Sequence, residues 1–265
     1  MIGVPPSLTA AALAPNAVRP TGRFSDASAN TSANASGKAS RLDAPSWPLR
    51  LSGALLVALP VFLQAPWVRL APFTATLFTA PLLLLGIVLA QQTNQRLATA
   101  GSLLVGFSGS WLGGCLFWGW CRLHPLWHLP IEAFALPLAL GGLSGGHNQR
   151  WRLAASFYLA SLLGTACTDG VMAITGVMRR WTAVLQAPVE QAAEQLQAAA
   201  LGVLQPIPLV VTLLAATLLL SLCQRFWHHP EPAWRLAASA IATTLAVDGL
   251  FLAAALWAPQ LSGLI

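Results

Sequence analysis

Charge is the scarcest property of this sequence. Only 8% of the 265 residues are charged, and eight of them are Asp or Glu. A soluble domain carries about 25% charged residues, so there is too little polar surface here to clothe a water-soluble globule. Cysteine is also sparse. Cys115, Cys121, Cys167 and Cys223 show no CxxC and no paired spacing, which reads as small apolar packing residues rather than a metal or redox set. HExxH, P-loop and strand-borne GxGxxG motifs are missing, so no catalytic residue is assigned and the chain is not read as an enzyme. The net charge is +6 and the pI about 10.1. The basic residues stand singly or in pairs between apolar runs, with no aromatic-interleaved patch, which excludes nucleic acid as a partner.

What is present is apolar sequence: 56% hydrophobic residues and a mean hydropathy of +0.65. Seven runs, near 51–68, 70–90, 97–121, 123–143, 153–178, 207–223 and 236–258, approach the roughly 20 residues that cross about 30 Å of hydrocarbon. The expected fold is all-α, a polytopic transmembrane helix bundle of about seven spans embedded in a lipid bilayer. The third run is rich in Gly and Ser (GSLLVGFSGSWLGG), as in a central, closely packed helix. The fourth contains Pro125, Pro130 and Pro137 and is expected to be kinked or partly re-entrant. The turn QAPWVRLAP is expected to close a tight hairpin between the first two runs. Between the fifth and sixth, apolar residues of Trp181–Gln205 recur every three to four positions, which predicts one interfacial amphipathic helix, lying on the membrane surface or packed on a partner. Residues 1–46 are poor in acids and lack periodicity, and they are expected to be a disordered tail or a transit segment ahead of a transmembrane domain at 47–265.

Seven spans place ten Lys and Arg on the N-terminal side and four on the other; without the tail the count is six to four. The positive-inside rule then puts the N-terminus in the cytoplasm. WRLAAS occurs twice, at 151–156 and 234–239, each time ahead of an Asp-Gly pair (Asp169-Gly170, Asp248-Gly249). The two copies are read either as a duplication or as chance in an Ala/Leu-rich chain. The glycine after each Asp is read as allowing close helix approach.

Three acids, Glu132, Asp169 and Asp248, fall inside apolar runs. An acid at bilayer depth costs at least ~2.5 kcal/mol and usually marks function. Counted from Arg122, Arg179 and Pro259, each lies about 15 Å in at ~1.5 Å per residue, which predicts a shared ion, proton or polar-network site. The alternative is that each carboxyl only fixes packing. His124, His128 and Glu132 are four apart, as a ligand set for a metal or a tetrapyrrole at His128 requires; Pro125 and Pro130 interrupt that face. Neither a metal nor another cofactor is therefore predicted. The competing reading sets the histidines in an aromatic belt, with Trp111, Trp118, Trp120 and Trp127 as interfacial anchors. Two intramembrane aspartates also suit an intramembrane aspartyl protease, against which stand the missing GxGD motif and the parallel run expected of both Asp helices.

PVFLQAP (60–66), GFSGSWLGGCLFWGW (106–120), HPLWHLPIEAFALP (124–137), FYLASLLGTACTDG (157–170) and VDGLF (247–251) resemble a cyanobacterial family of integral membrane proteins, domain of unknown function 3120. The resemblance spans about residues 50 to 258 and implies a plasma or thylakoid membrane; it carries no catalytic residue. Two functions fit: small-solute or cation/proton handling through the acidic cluster, or a non-catalytic subunit or assembly factor of a photosynthetic membrane complex, meeting other membrane subunits through the Trp-rich turn and the helix 181–205.

Overall fold

The computed structural model describes residues 47–144 and 149–261. The expected disordered tail, residues 1–46, lies outside them. Among the described residues there are helices and no strands. Seven are long and apolar enough to cross a membrane: α1 (Pro48–Leu70), α2 (Pro72–Ala90), α3 (Gln95–Cys121), α4 (Pro125–Ser144), α5 (Gln149–Ile174), α8 (Pro206–Trp227) and α9 (Pro232–Trp257). Between α5 and α8 stand two shorter helices, α6 (Val177–Gln186) and α7 (Val189–Val203).

Helix α3 is the centre. Its small residues bring backbones together: a Cβ on Gly101 would stand 2.2 Å from the Ala90 nitrogen on α2, and one on Gly106 would stand 2.4 Å from the Ala154 oxygen on α5. The turn at Ala71 is sharp, with φ −149° and Pro72 opening α2. Its two arms part beyond the turn, α1 packing on α9 and α2 on α3, because α3 offers α2 the glycine groove.

The two WRLAAS copies occupy equivalent places. In α5 the residues from Leu153 to Tyr158 are buried, and in α9 the residues from Leu236 to Ile241 are buried. The helices lie against each other, and a Cβ on Gly164 would stand 2.7 Å from the Thr244 side chain. At this end of the bundle Arg152 pairs with Glu231 at 2.9 Å and 3.0 Å, and Arg50 donates to the Trp227 carbonyl with its guanidinium over that indole. This is the Arg152 end; the opposite one is the Trp181 end.

Two local expectations are corrected. The amphipathic segment is two helices, because Pro188 has no N–H to continue the ladder and holds Ala187 extended at ψ 146°. Its apolar face is turned onto its own chain: Val184, Leu196 and Ala200 are buried with Ala255 of α9, and the Gln197 amide donates to the Leu256 carbonyl. In addition, α5 stops at Ile174 rather than running on to Met178. Gly176 takes φ +75°, a left-handed turn that glycine adopts without steric cost.

Helix α4 follows its prolines. It alternates between 3₁₀ turns at Pro125–Trp127 and Ala133–Ala135 and α turns at His128–Glu132 and Leu136–Ser144, and it remains a 20-residue span. Two wide, five-residue turns occur elsewhere, at Pro60–Gln64 in α1 and Phe117–Cys121 in α3. The first begins at Pro60, whose missing N–H lets the ladder slip by one residue, so that Ala65 donates to Pro60.

Candidate functional site

The kinks of α4 set up its first α turn. His128 and Glu132 are four apart on that turn, and their side chains meet, with Nε2 3.2 Å from Glu132 Oε1. The other ring nitrogen faces α5. His128 Nδ1 stands 3.1 Å from both oxygens of Asp169. The hydrogen-bond contact is to Oδ1, and Asp169 Oδ2, buried, has no hydrogen-bond partner among the described residues. Phe117 stacks on the imidazole at 4.0 Å between centroids and holds the ring in the plane that reaches both carboxyls.

Hydroxyls on α5 complete the carboxyl contacts. Thr165 donates to Glu132 Oε2 at 2.7 Å, and Thr168 donates to Asp248 Oδ2 on α9 at 2.7 Å. Thr165 and Thr168 are three residues apart, about 4.5 Å of helix rise, so Glu132 and Asp248 meet α5 within one turn of each other. The Tyr158 hydroxyl donates to the Glu132 carbonyl and accepts from the Ala135 amide, which fixes the second kink of α4. Gly113 of α3 leaves room for Glu132; a Cβ there would stand 3.1 Å from the Glu132 Cα.

His128, Glu132, Asp169 and Asp248 all line one cavity of about 760 Å³. The structure therefore gathers the three acids picked from the sequence and one of the two histidines. His124 is exposed at the turn before α4 and does not line the cavity. The depth expectation for Asp169 changes, because α5 ends five residues later, at Ile174; that is about 7.5 Å of helix rather than 15 Å.

Proton bookkeeping follows from the geometry. Both ring nitrogens face carboxyl oxygens, so the arrangement can be an imidazolium between two carboxylates, or a neutral ring beside one protonated carboxyl. The proton count is the same, and one proton crossing either one of the two ring–carboxyl contacts converts one form to the other. Among the described residues no group of three or more His, Cys, Asp or Glu is arranged to hold a metal ion; in this trio the groups bond to one another.

The tryptophans separate. Trp111 is not an interfacial anchor. It is 4% exposed, its indole N–H donates to the Ala75 carbonyl, and it packs among Trp67, Phe78 and Phe107. The physical reason is its place in the middle of the central helix, where a carbonyl of α2 satisfies the N–H that would otherwise seek the interface. Trp118 is half-buried and lines the cavity beside Trp181, their centroids 5.7 Å apart. Trp120 and Trp127 are exposed at the Trp181 end.

Sequence reasoning missed Thr165, Thr168 and Gln64. The signal for Thr165 was available: it is four residues before Asp169, on the same face. Gln64 is 4% exposed and its amide donates to the Trp111 carbonyl at 2.5 Å and to Cys115 Sγ at 2.9 Å, tying the wide turn of α1 to α3 at the cavity wall. An amide inside an apolar run was its only mark. All four cysteines are free thiols.

Comparison with known proteins adds one result. No curated protein and no solved structure matches the chain. The family described as protein of unknown function (DUF3120) matches residues 53–256, a stretch that includes every residue of the cavity cluster. The chain, an integral membrane protein by its seven apolar spans, thus belongs to the DUF3120 family.

Proposed function

We propose that this protein binds a small solute in the cavity between α1, α3, α4, α5 and α9, closed over by α6 and α7, and that binding is coupled to proton exchange in the His128–Glu132–Asp169 trio. One observation carries the reading: a histidine has both nitrogens on carboxyls from two helices, on the wall of a cavity large enough for a drug-sized ligand. Carboxyls held only to fix packing need no such cavity beside them, and a hydroxyl partner would serve each of them. Intramembrane chains of His, Asp and Glu are what proton relays use. The loop arginines favour a cytoplasmic N-terminus, which would open the Trp181 end to the opposite side.

A subunit or assembly-factor role is the weaker reading. One of its two contact surfaces, the apolar face of the 181–205 segment, is covered by α9. The exposed Trp120 and Trp127 remain for a partner, and lipid accounts for them equally well.

Infrared difference spectroscopy of the protein in lipid, during a pH titration, tests the proton site without any solute. The expected spectrum has a carboxylic-acid carbonyl band that changes with pH and is altered in both Glu132→Gln and Asp169→Asn. A pH-dependent spectrum indifferent to both substitutions would remove proton exchange from the account.

A further inference from the structure

The cavity has ends of opposite charge. Towards its interior stand three acids and one histidine. Asp248 has a hydroxyl partner, Thr168, and no cationic partner among the described residues. Whichever way the shared proton is placed, His128 offsets only one of the remaining two carboxyls. The interior therefore carries net negative charge with Asp248 as its open member. Arg69 and Arg122 line the same cavity at the Trp181 end. Both are exposed, and neither forms an ion pair among the described residues. Between the two ends the wall is mainly apolar and aromatic, with Trp118 and Trp181 facing each other edge to face.

A simple anion that passed the arginines would meet the acids. A simple organic cation would be drawn to Asp248 and repelled at the mouth. A molecule carrying both charges, oriented cation inward, is favoured at each end. The spacing favours a long one over a compact one. Asp248 lies nine residues before the end of α9 at Trp257, about 13 Å of helix rise, whereas Arg122 follows the last residue of α3. Two charges on one carbon, as in an α-amino acid, span less of that separation than charges at the two ends of a chain. The geometry points to an elongated zwitterion as the ligand class: an ammonium on Asp248, an apolar body against Trp118 and Trp181, and a carboxylate or other anionic group at Arg69 and Arg122. This assignment rests on the solute-binding reading above and names the chemistry of that site.

A matched series separates the contributions: 6-aminohexanoate, hexylamine and hexanoate, titrated calorimetrically into the full-length protein in lipid nanodiscs. The expected result is that 6-aminohexanoate binds roughly ten-fold or more tightly than either analogue, as a charge-assisted hydrogen bond lost at one end implies. Asp248→Asn brings its affinity to that of hexanoate. Arg69→Gln with Arg122→Gln, at exposed positions that bear little on folding, brings it to that of hexylamine. Hexylamine binding as tightly as the zwitterion makes this a plain cation site and overturns the assignment; hexanoate binding as tightly makes it an anion site and does the same. Binding of none of the three also overturns it. The infrared titration uses no ligand, so a failure of the series leaves the proton site standing, and a failure of the titration removes that site whatever the series shows.

Discussion

Replacing His128 by Leu is expected to destabilise the protein by about 3–5 kcal/mol, the cost of removing one partner from a buried ionic group. The imidazole lies between Glu132 and Asp169. Without it two carboxyls on neighbouring helices face each other, and Asp169, whose Oδ2 already has no donor of its own, loses its only ion-pair partner among the described residues. A leucine fills similar space under Phe117, so the loss is electrostatic rather than a packing defect. Thermal unfolding in detergent, followed by tryptophan fluorescence, reads the effect. Adding Glu132→Gln and Asp169→Asn to His128→Leu is expected to recover most of it, because the uncompensated charges are then gone. If His128→Leu alone melts with the parent protein, the trio is not an ionic unit.

The second large effect concerns α3. Gly101→Ala and Gly106→Ala each place a methyl against backbone of a neighbouring helix, at 2.2 Å and 2.4 Å. Backbone cannot rotate aside as a side chain can, so α2 or α5 must move off α3. Overpacking in a tight interior costs about 1–3 kcal/mol, and these contacts belong at or above the upper end of that range. The glycines that follow the two buried aspartates behave differently. A Cβ on Gly170 or Gly249 meets nothing within 4 Å, so the reading that they permit close helix approach is corrected. Their Ala variants are expected to be neutral or to gain about 0.5–1 kcal/mol from helix propensity. The same unfolding measurement on all four variants decides it. Equal stability of Gly101→Ala and Gly170→Ala contradicts the packing described for α3.

Much of this architecture was legible because membrane helices announce themselves by length and composition. Seven apolar runs were expected, and seven candidate spans are found among the described residues. The Gly/Ser pattern of the third run marked the central helix, since small residues in lipid have value only where another backbone comes close. The break at Pro188 was equally readable, but the three-to-four spacing on either side of it outweighed a single proline. Trp111 shows the limit of the aromatic-belt rule: the rule gives what a tryptophan prefers when nothing inside the bundle takes its N–H, and Ala75 does.

The site was partly legible. Acids in apolar runs are few, and their cost singled out Glu132, Asp169 and Asp248. The role of His128 was not, because Pro125 and Pro130 cast doubt on any helical face that included it. In the fold those prolines confine the α turn to His128–Glu132, the one stretch where the i, i+4 pairing is needed, and they let His124 turn away. Which helix supplies the second carboxyl depends on α4 packing on α5, a tertiary fact that no local pattern encodes.

The claim on which the rest depends is that one imidazole bridges carboxyls from α4 and α5 inside the membrane. Solid-state NMR of protein in lipid bilayers, with ¹⁵N-labelled histidine and ¹³C-labelled Asp and Glu carboxyls, measures this directly; the His128 signals are identified by their loss in His128→Gln. The account predicts dipolar contacts from Nδ1 to an aspartate carboxyl carbon and from Nε2 to a glutamate carboxyl carbon, the first lost in Asp169→Asn and the second in Glu132→Gln. A His128 ring with one bare nitrogen and no carboxyl carbon in range would contradict it.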